Sequence, residues 1–211
     1  MMSIKMYFFK IINVLSLFIL LTIPSVKAQI KFEKGFVIEK NGNKIECLIK
    51  NLDWHNSPNE IKYRLNKGEP VLIGNATNIK GFQIGGVKYV AAKVKYEKST
   101  NNVQAMTSDV NFNYEDKSVF LKVLQEDKYN FYEYVSGYFA RYFISTDGLD
   151  YQHLINKPFL HEGVYLKYIQ RYKGQLKEIL KCSNITDTAL NDLEYKAEDL
   201  INFINNYKNC N

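Results

Sequence analysis

Three histidines, three cysteines and a scatter of carboxylates are the residues in this 211-residue chain with the chemistry to catalyse a reaction or hold a metal. His55, His153 and His161 stand far apart in sequence. His161-Glu162-Gly163 lacks the second histidine that completes a zinc-protease helix, and there is no C-x-x-C pair, so no local metal motif forms. Cys47, Asp53 and His55 are near enough in sequence to suggest a thiol-protease set. The period of the surrounding strand, however, puts Cys47 on one face with Ile45 and Ile49, where a cysteine behaves as a small apolar side chain and not as an accessible nucleophile. A G-x-x-x-x-G-K-[ST] phosphate loop, a dinucleotide fingerprint and a G-x-S-x-G elbow are all missing from the sequence. The chain therefore names no catalytic residue, no metal ligand and no cofactor.

Recognition is the chemistry that remains. Trp54, Tyr132, Tyr134 and Tyr142 are the candidate ligand surface, because aromatic faces on a sheet can take a glycan or a peptide strand; cross-strand packing is the competing use of the same rings. Glu97 to Lys117 is rich in Ser, Thr, Asn and Asp without a clear period and reads as a long loop, the best place to look for a partner contact. The preferred function is an exported, non-catalytic cell-envelope or secreted interaction domain that binds an envelope protein or a glycan. Two alternatives are a secreted hydrolase whose site is assembled from residues distant in sequence, and a glycan- or lipid-binding module using the aromatic sheet. Nucleic acid is not expected as a partner. The formal charge of +6 falls to +3 once the leader lysines are set aside, and the remaining cations are interspersed with acids.

The leader comprises residues 1 to 28: Lys5 and Lys10 precede an apolar run from Ile11 to Ile23, Pro24 ends it, and Val26-Lys27-Ala28 offers a peptidase site ahead of Gln29. That run is shorter than the ~18 residues a membrane-spanning helix needs, so export to the periplasm, the outer-membrane surface or the medium is expected, with no integral membrane segment after cleavage.

Residues 29 to 160 read as a β-rich domain. Asn41-Gly42 lies between two β-rich runs and predicts a two-residue type I′ turn, pairing Glu39 with Lys44, Ile38 with Ile45 and Phe36 with Cys47. Further strands are expected over Ile61 to Leu65, Val71 to Ile73, Thr77 to Ile84, Val87 to Tyr96, Val119 to Gln125, Tyr129 to Val135 and Tyr138 to Ser145, with an edge strand near Asp150 to Ile155. In Val87 to Tyr96 both faces carry apolar side chains, which predicts a strand covered on each side or one bulged near Ala91-Ala92.

Residues 161 to 211 read as helical. Tyr165, Tyr168, Ile169, Tyr172, Leu176, Ile179 and Leu180 recur at helical spacing and predict one helix from Val164 to about Cys182; Asp187 is a candidate cap for a short turn, and a last helix covers Lys196 to Lys208. Cys182 and Cys210 flank this segment and are the candidate disulfide, leaving Cys47 unpaired. The fold class is α+β: a largely antiparallel sheet of hairpins and a meander, with a C-terminal helical hairpin on one face.

The run IECLIKNLDW, followed by Asn56, Pro58, Glu60 and KYRL, and later by FLKVL, RYF, LKC with NIT and a terminal YKNC, resembles a family of exported proteins from Gram-negative bacteria. The likeness spans roughly Ile30 to Cys210. In longer members of that family such a domain precedes an outer-membrane β-barrel, which is not expected in this chain. The resemblance implies an envelope location and no catalytic residue.

Overall fold

The computed structural model describes residues 31–137 and 139–210; the leader and its cleavage site lie outside the described residues. Ten strands form one antiparallel sheet in the order β10-β9-β8-β7-β6-β5-β1-β2-β3-β4. They are β1 (Phe32–Glu39), β2 (Lys44–Lys50), β3 (Glu60–Arg64), β4 (Leu72–Asn75), β5 (Ile79–Ile84), β6 (Val87–Glu97), β7 (Tyr114–Gln125), β8 (Asn130–Ser136), β9 (Phe139–Ser145) and β10 (Gln152–Leu154). A separate hairpin, β11 (Lys157–His161) and β12 (Tyr165–Ile169), leads into helices α1 (Arg171–Leu180), α2 (Asp187–Asp192) and α3 (Ala197–Tyr207). The class is α+β, with strands first and helices last.

The sheet bends because short connections require it. Between β5 and β4 lie β1, β2 and β3, so on a flat sheet the two would be about 19 Å apart. Only Ala76, Thr77 and Asn78 join them, four Cα steps that reach at most about 15 Å. β4 therefore curls back towards β5. Gly74 sits at this seam, where a Cβ would fall 2.8 Å from the Ile79 side chain. Inside the curl lie Val37, Cys47, Ile49, Ile61, Ile79, Phe82, Ile84, Tyr89 and Phe120. Trp54 closes one end, edge-on to Phe82 and Tyr89.

β6 is covered on both faces and belongs to two curls. Tyr89 packs in the first core, whereas Ala92, Val94 and Tyr96, of opposite parity, pack in a second with Val119, Leu121, Tyr132, Tyr134 and Phe143. Because side chains alternate along a strand, the sheet must bend one way around the first core and the other way around the second. Its register with β7 runs unbroken through Ala91 and Ala92, without the bulge that was the other expectation.

At three places side chains add hydrogen bonds to those of the strand ladders. Asn78 accepts from Asn75 N–H at 2.7 Å and donates to Ile73 C=O at 3.0 Å, as a further strand would. His153 on β10 reaches β6, its Nδ1 accepting from Glu97 N–H at 3.2 Å. The Tyr195 hydroxyl lies between β9 and β10, accepting from Tyr142 N–H at 3.2 Å and donating to Leu154 C=O at 2.6 Å.

A third core joins the helices to the outer face of the second curl. Phe131, Tyr142, Ile144 and Leu154 meet Tyr172, Leu176, Leu180, Leu200, Phe203 and Ile204. Cys182 and Cys210 are disulfide-bonded with Cα atoms 5.2 Å apart, tying the end of α1 to the end of α3. Closing a loop of this length contributes roughly 3 to 4 kcal/mol on the chain-entropy account. Cys47 is a buried free cysteine.

Several expectations need correction. The first hairpin pairs Val37 with Ile45 and Gly35 with Cys47, one residue out of the expected register. Its loop has three residues, Lys40, Asn41 and Gly42, with Gly42 alone at positive φ (+96°) and Glu39 N–H bonded to Asn43 C=O. This is a type I turn ending in a glycine bulge, which Asn-Gly also suits. It turns Val37 inward and leaves Phe36 outside under the Lys44 ammonium, 3.9 Å from the ring centroid. The single helix expected from Val164 is instead β12 followed by α1. Positive φ at Glu162 and Gly163 makes His161 to Val164 a hairpin turn, so strands continue beyond residue 160. The long loop is Lys98 to Asn113, because β7 already begins at Tyr114. The α2 cap is Thr186, whose hydroxyl accepts from Ala189 N–H, and Asp187 is the first helical residue.

The Asn78 seam is directly testable. Asn78→Ala removes two bonds and is expected to cost about 1 to 3 kcal/mol. It also bares the edge of β4, whose Leu72 and Ile73 are exposed, so concentration-dependent association should appear by size-exclusion chromatography. An unchanged urea midpoint with no self-association would contradict this role.

Candidate functional site

The long loop leaves β6 at Glu97, and the structure builds a polar cradle there. Glu97 is buried, as is Lys157, the first residue of β11, and the ammonium lies 3.2 Å from Glu97 Oε1. Ser99 stands between them: its hydroxyl donates to Glu97 Oε1 at 2.9 Å and accepts from Lys157 Nζ at 2.8 Å. Glu97 Oε2 accepts from Ser99 N–H at 2.9 Å. Asn113 N–H, at the far end of the loop, reaches Oε1 at 3.4 Å. One carboxylate thus holds both ends of the loop together.

Arg141 on β9 fastens the same corner from inside the second core. Its Nε donates to Glu97 C=O at 3.2 Å and its Nη2 to Ser99 C=O at 2.5 Å, while the guanidinium lies over the rings of Tyr96 and Phe139. Burial pushes its pKa below the ordinary arginine value. His153, stacked on Phe143, is held down to about 3, first by burial and then by the Arg141 charge. A neutral ring is what the geometry requires: with Nδ1 accepting from Glu97 N–H, the proton must sit on Nε2.

Above this floor is a cavity of about 390 Å³ lined by Glu97, Ser99, Thr107, Asp109, Asn113 and Lys157, among others. Leu160 N–H bonds to Thr107 C=O at 3.0 Å, so β11 holds the loop from the other side. The Asn111 N–H holds the Asp109 carboxyl below the usual carboxylate range. The Lys157 ammonium has three N–H groups and two protein acceptors, leaving one donor for a ligand. Hydroxyl, amide, carboxylate and ammonium groups together suit a polar ligand bound by hydrogen bonds. Val103 and Val110 stand exposed on the loop and add apolar contact points.

The structure separates the residues singled out from the sequence. Tyr132 and Tyr134 are buried in the second core, and Tyr142 is buried on the opposite sheet face against the helices. Trp54 is half-buried against the first core. The four do not make one surface, because alternate strand positions point to opposite faces. Burial pushes the Cys47 thiol up to about 11, far from a reactive thiolate. His55 lines a shallow depression with Trp54, His153 lines a cleft beside α1, and His161 ends β11; the hydrolase arrangement of converging imidazoles is not formed. Among the described residues no cluster of His, Cys, Asp or Glu is suited to a metal, and no helix is long and apolar enough to cross a membrane. Glu97 and Lys157 escaped the sequence reading because they lie 60 positions apart, and β11, over which no strand was expected, brings them together.

Comparisons with protein-family models, curated proteins and solved structures return no match.

Two measurements test this corner. Lys157→Met leaves the Glu97 carboxylate buried without its partner and is expected to destabilise by about 3 to 5 kcal/mol, whereas Glu97→Leu combined with Lys157→Met should recover a large part of the loss. Equal losses in the single and double variants would contradict the pairing. The pH response follows from His153. Its folded pKa lies below the ordinary 6.5, so between the two values the unfolded chain binds more protons and stability falls as pH falls, by at most ~1.4 kcal/mol per pH unit. Urea midpoints of the wild type should therefore drop more steeply below pH 6.5 than those of His153→Gln. Parallel profiles would contradict a neutral buried imidazole.

Proposed function

We propose that this protein is an exported, non-catalytic interaction domain of the cell envelope or of the secreted fraction, which binds an envelope protein or a glycan through the loop from Lys98 to Asn113. The observation that carries the reading is the way this loop is held. A 16-residue excursion in a compact domain is uncommon, and loops of that length tend to be functional or mobile. This one is fixed at both ends by a buried carboxylate, braced by β11, and sited over a polar cavity with a donor to spare. Such an arrangement pre-orders a binding surface, so less entropy is lost when a partner docks. The leader-like N-terminal sequence and the disulfide both suit an oxidising compartment outside the cytoplasm. The resemblance to exported Gram-negative proteins agrees with that location.

Site-specific photo-crosslinking in a Gram-negative host tests the reading. A photoreactive amino acid at Val103 or Val110, in the full chain with its own leader, should give a discrete adduct in the envelope or medium fraction; the same group at Lys62 on β3 should not. The accumulated protein should begin at Gln29 by mass spectrometry. Absence of any adduct, or identical adducts from all three positions, would count against the loop as the binding surface.

A further inference from the structure

Beyond the cradle, a second cavity of about 460 Å³ is lined by Lys95, Tyr114, Tyr151, His153, Arg171 and Gln175, with Asp150 the one acid on its wall. Tyr114 belongs to both cavities, so the two lie side by side. Neither Lys95 nor Arg171 forms an ion pair with any carboxylate of the described residues. They rest on aromatic faces instead. Lys95 Nζ is 5.2 Å from the Tyr114 ring centroid, Arg171 Cζ is 5.0 Å from that of Phe112, and the two rings stack 6.4 Å apart. A π face steadies a cation but leaves its N–H groups free for a ligand.

Two further features favour an anion here. Arg171 opens α1, whose N-cap Gln170 makes no side-chain cap and whose first turn holds no acid. No side-chain cap or acid therefore offsets the positive end of this ten-residue helix, where the chain supplies only the Ile155 C=O to the Tyr172 N–H, and Arg171 and Lys173 add further cations to it. The second feature is independent: His153 is 7% exposed and lines the same cavity, and its Nε2–H is buried without an acceptor. Gln175 ties α1 to β10, donating to His153 C=O and accepting from Ile155 N–H, both at 2.8 Å, so the cleft has a fixed floor.

We propose that this cleft binds the carboxylate of an acidic saccharide, with Arg171 and Lys95 gripping the anion and the exposed Tyr114 ring supporting the sugar. Arginine matches a carboxylate in a bidentate fork, and an aromatic face beside it supports a pyranose through its C–H groups. The inference goes beyond loop docking and stands whichever partner the loop takes.

Titration calorimetry on the disulfide-bonded mature chain tests it with trigalacturonate as probe, and with maltotriose and inorganic sulfate as comparisons. Trigalacturonate should bind saturably at low salt and weaken as sodium chloride is added, while maltotriose gives no signal and sulfate binds more weakly. Arg171→Ala should weaken trigalacturonate about tenfold or more, and Lys95→Ala by a smaller factor, since each removes charged hydrogen bonds. Arg171→Lys should restore only part of the affinity. Both side chains are exposed, and an unchanged melting temperature confirms that the variants remain folded. Equal binding of maltotriose, sulfate binding as tight as trigalacturonate, affinity unaffected by both alanine variants, or no saturable binding at millimolar probe would overturn the proposal.

Discussion

Every strand at a sheet edge carries N–H and C=O groups that must be bonded to something, and a sheet of ten strands that never closes has two such edges. In this protein curvature brings the edge strands back towards the sheet, and side chains bond some of their backbone groups. Asn78 does this for β4 and His153 for the junction of β10 with β6, while Tyr195 bonds Tyr142 N–H and Leu154 C=O at the end of the β9–β10 ladder. The cores, the helix packing and the polar cradle all depend on those closures, because each core is the inside or the outside of a bend.

The corner at Glu97 is the costliest of these places. The Glu97 carboxylate, the Lys157 ammonium, the Arg141 guanidinium and the His153 imidazole are all withdrawn from water, the last three each hydrogen-bonded to Glu97. Desolvation of so many polar groups stabilises nothing by itself; it is offset by the bonds to Glu97 and Ser99 and by a neutral imidazole, although Arg141 Nη1 and His153 Nε2 are buried without a partner. Simple hydrophobic residues could have closed the sheet. The polar solution bonds both ends of the loop to one buried carboxylate and leaves Lys157 with two protein acceptors for three N–H groups, which ties the loop to the second curl.

Much of the architecture was legible in the sequence. Alternating apolar residues marked most of the strands, and the two-sided apolar pattern of Val87 to Tyr96 marked the strand shared by two cores. The cysteines at the ends of the last helices marked the disulfide. The misses have physical causes. Asn-Gly serves two turn types, and the choice that turns Val37 inward depends on a core assembled from distant strands. Tyr165, Tyr168 and Ile169 fit a helical spacing as well as a short strand, and the turn at Glu162-Gly163 separates the two only once its left-handed backbone is seen. The aromatic residues proposed as a ligand surface are the packing of two opposite faces. The cradle was half legible: its loop was marked by composition, but its floor joins residues 60 positions apart.

The central claim is that side chains finish the hydrogen bonding of the bent sheet, and native-state hydrogen exchange of the Glu97 amide tests it most directly. That N–H has a histidine ring as its acceptor and no strand partner for it is needed. If His153 closes the curl, the Glu97 amide should exchange as slowly as its ladder neighbours Val94 and Tyr96 in β6 and should speed up selectively in His153→Ala. Exchange of the wild-type amide at the rate of loop amides between Thr100 and Val110 would contradict the account.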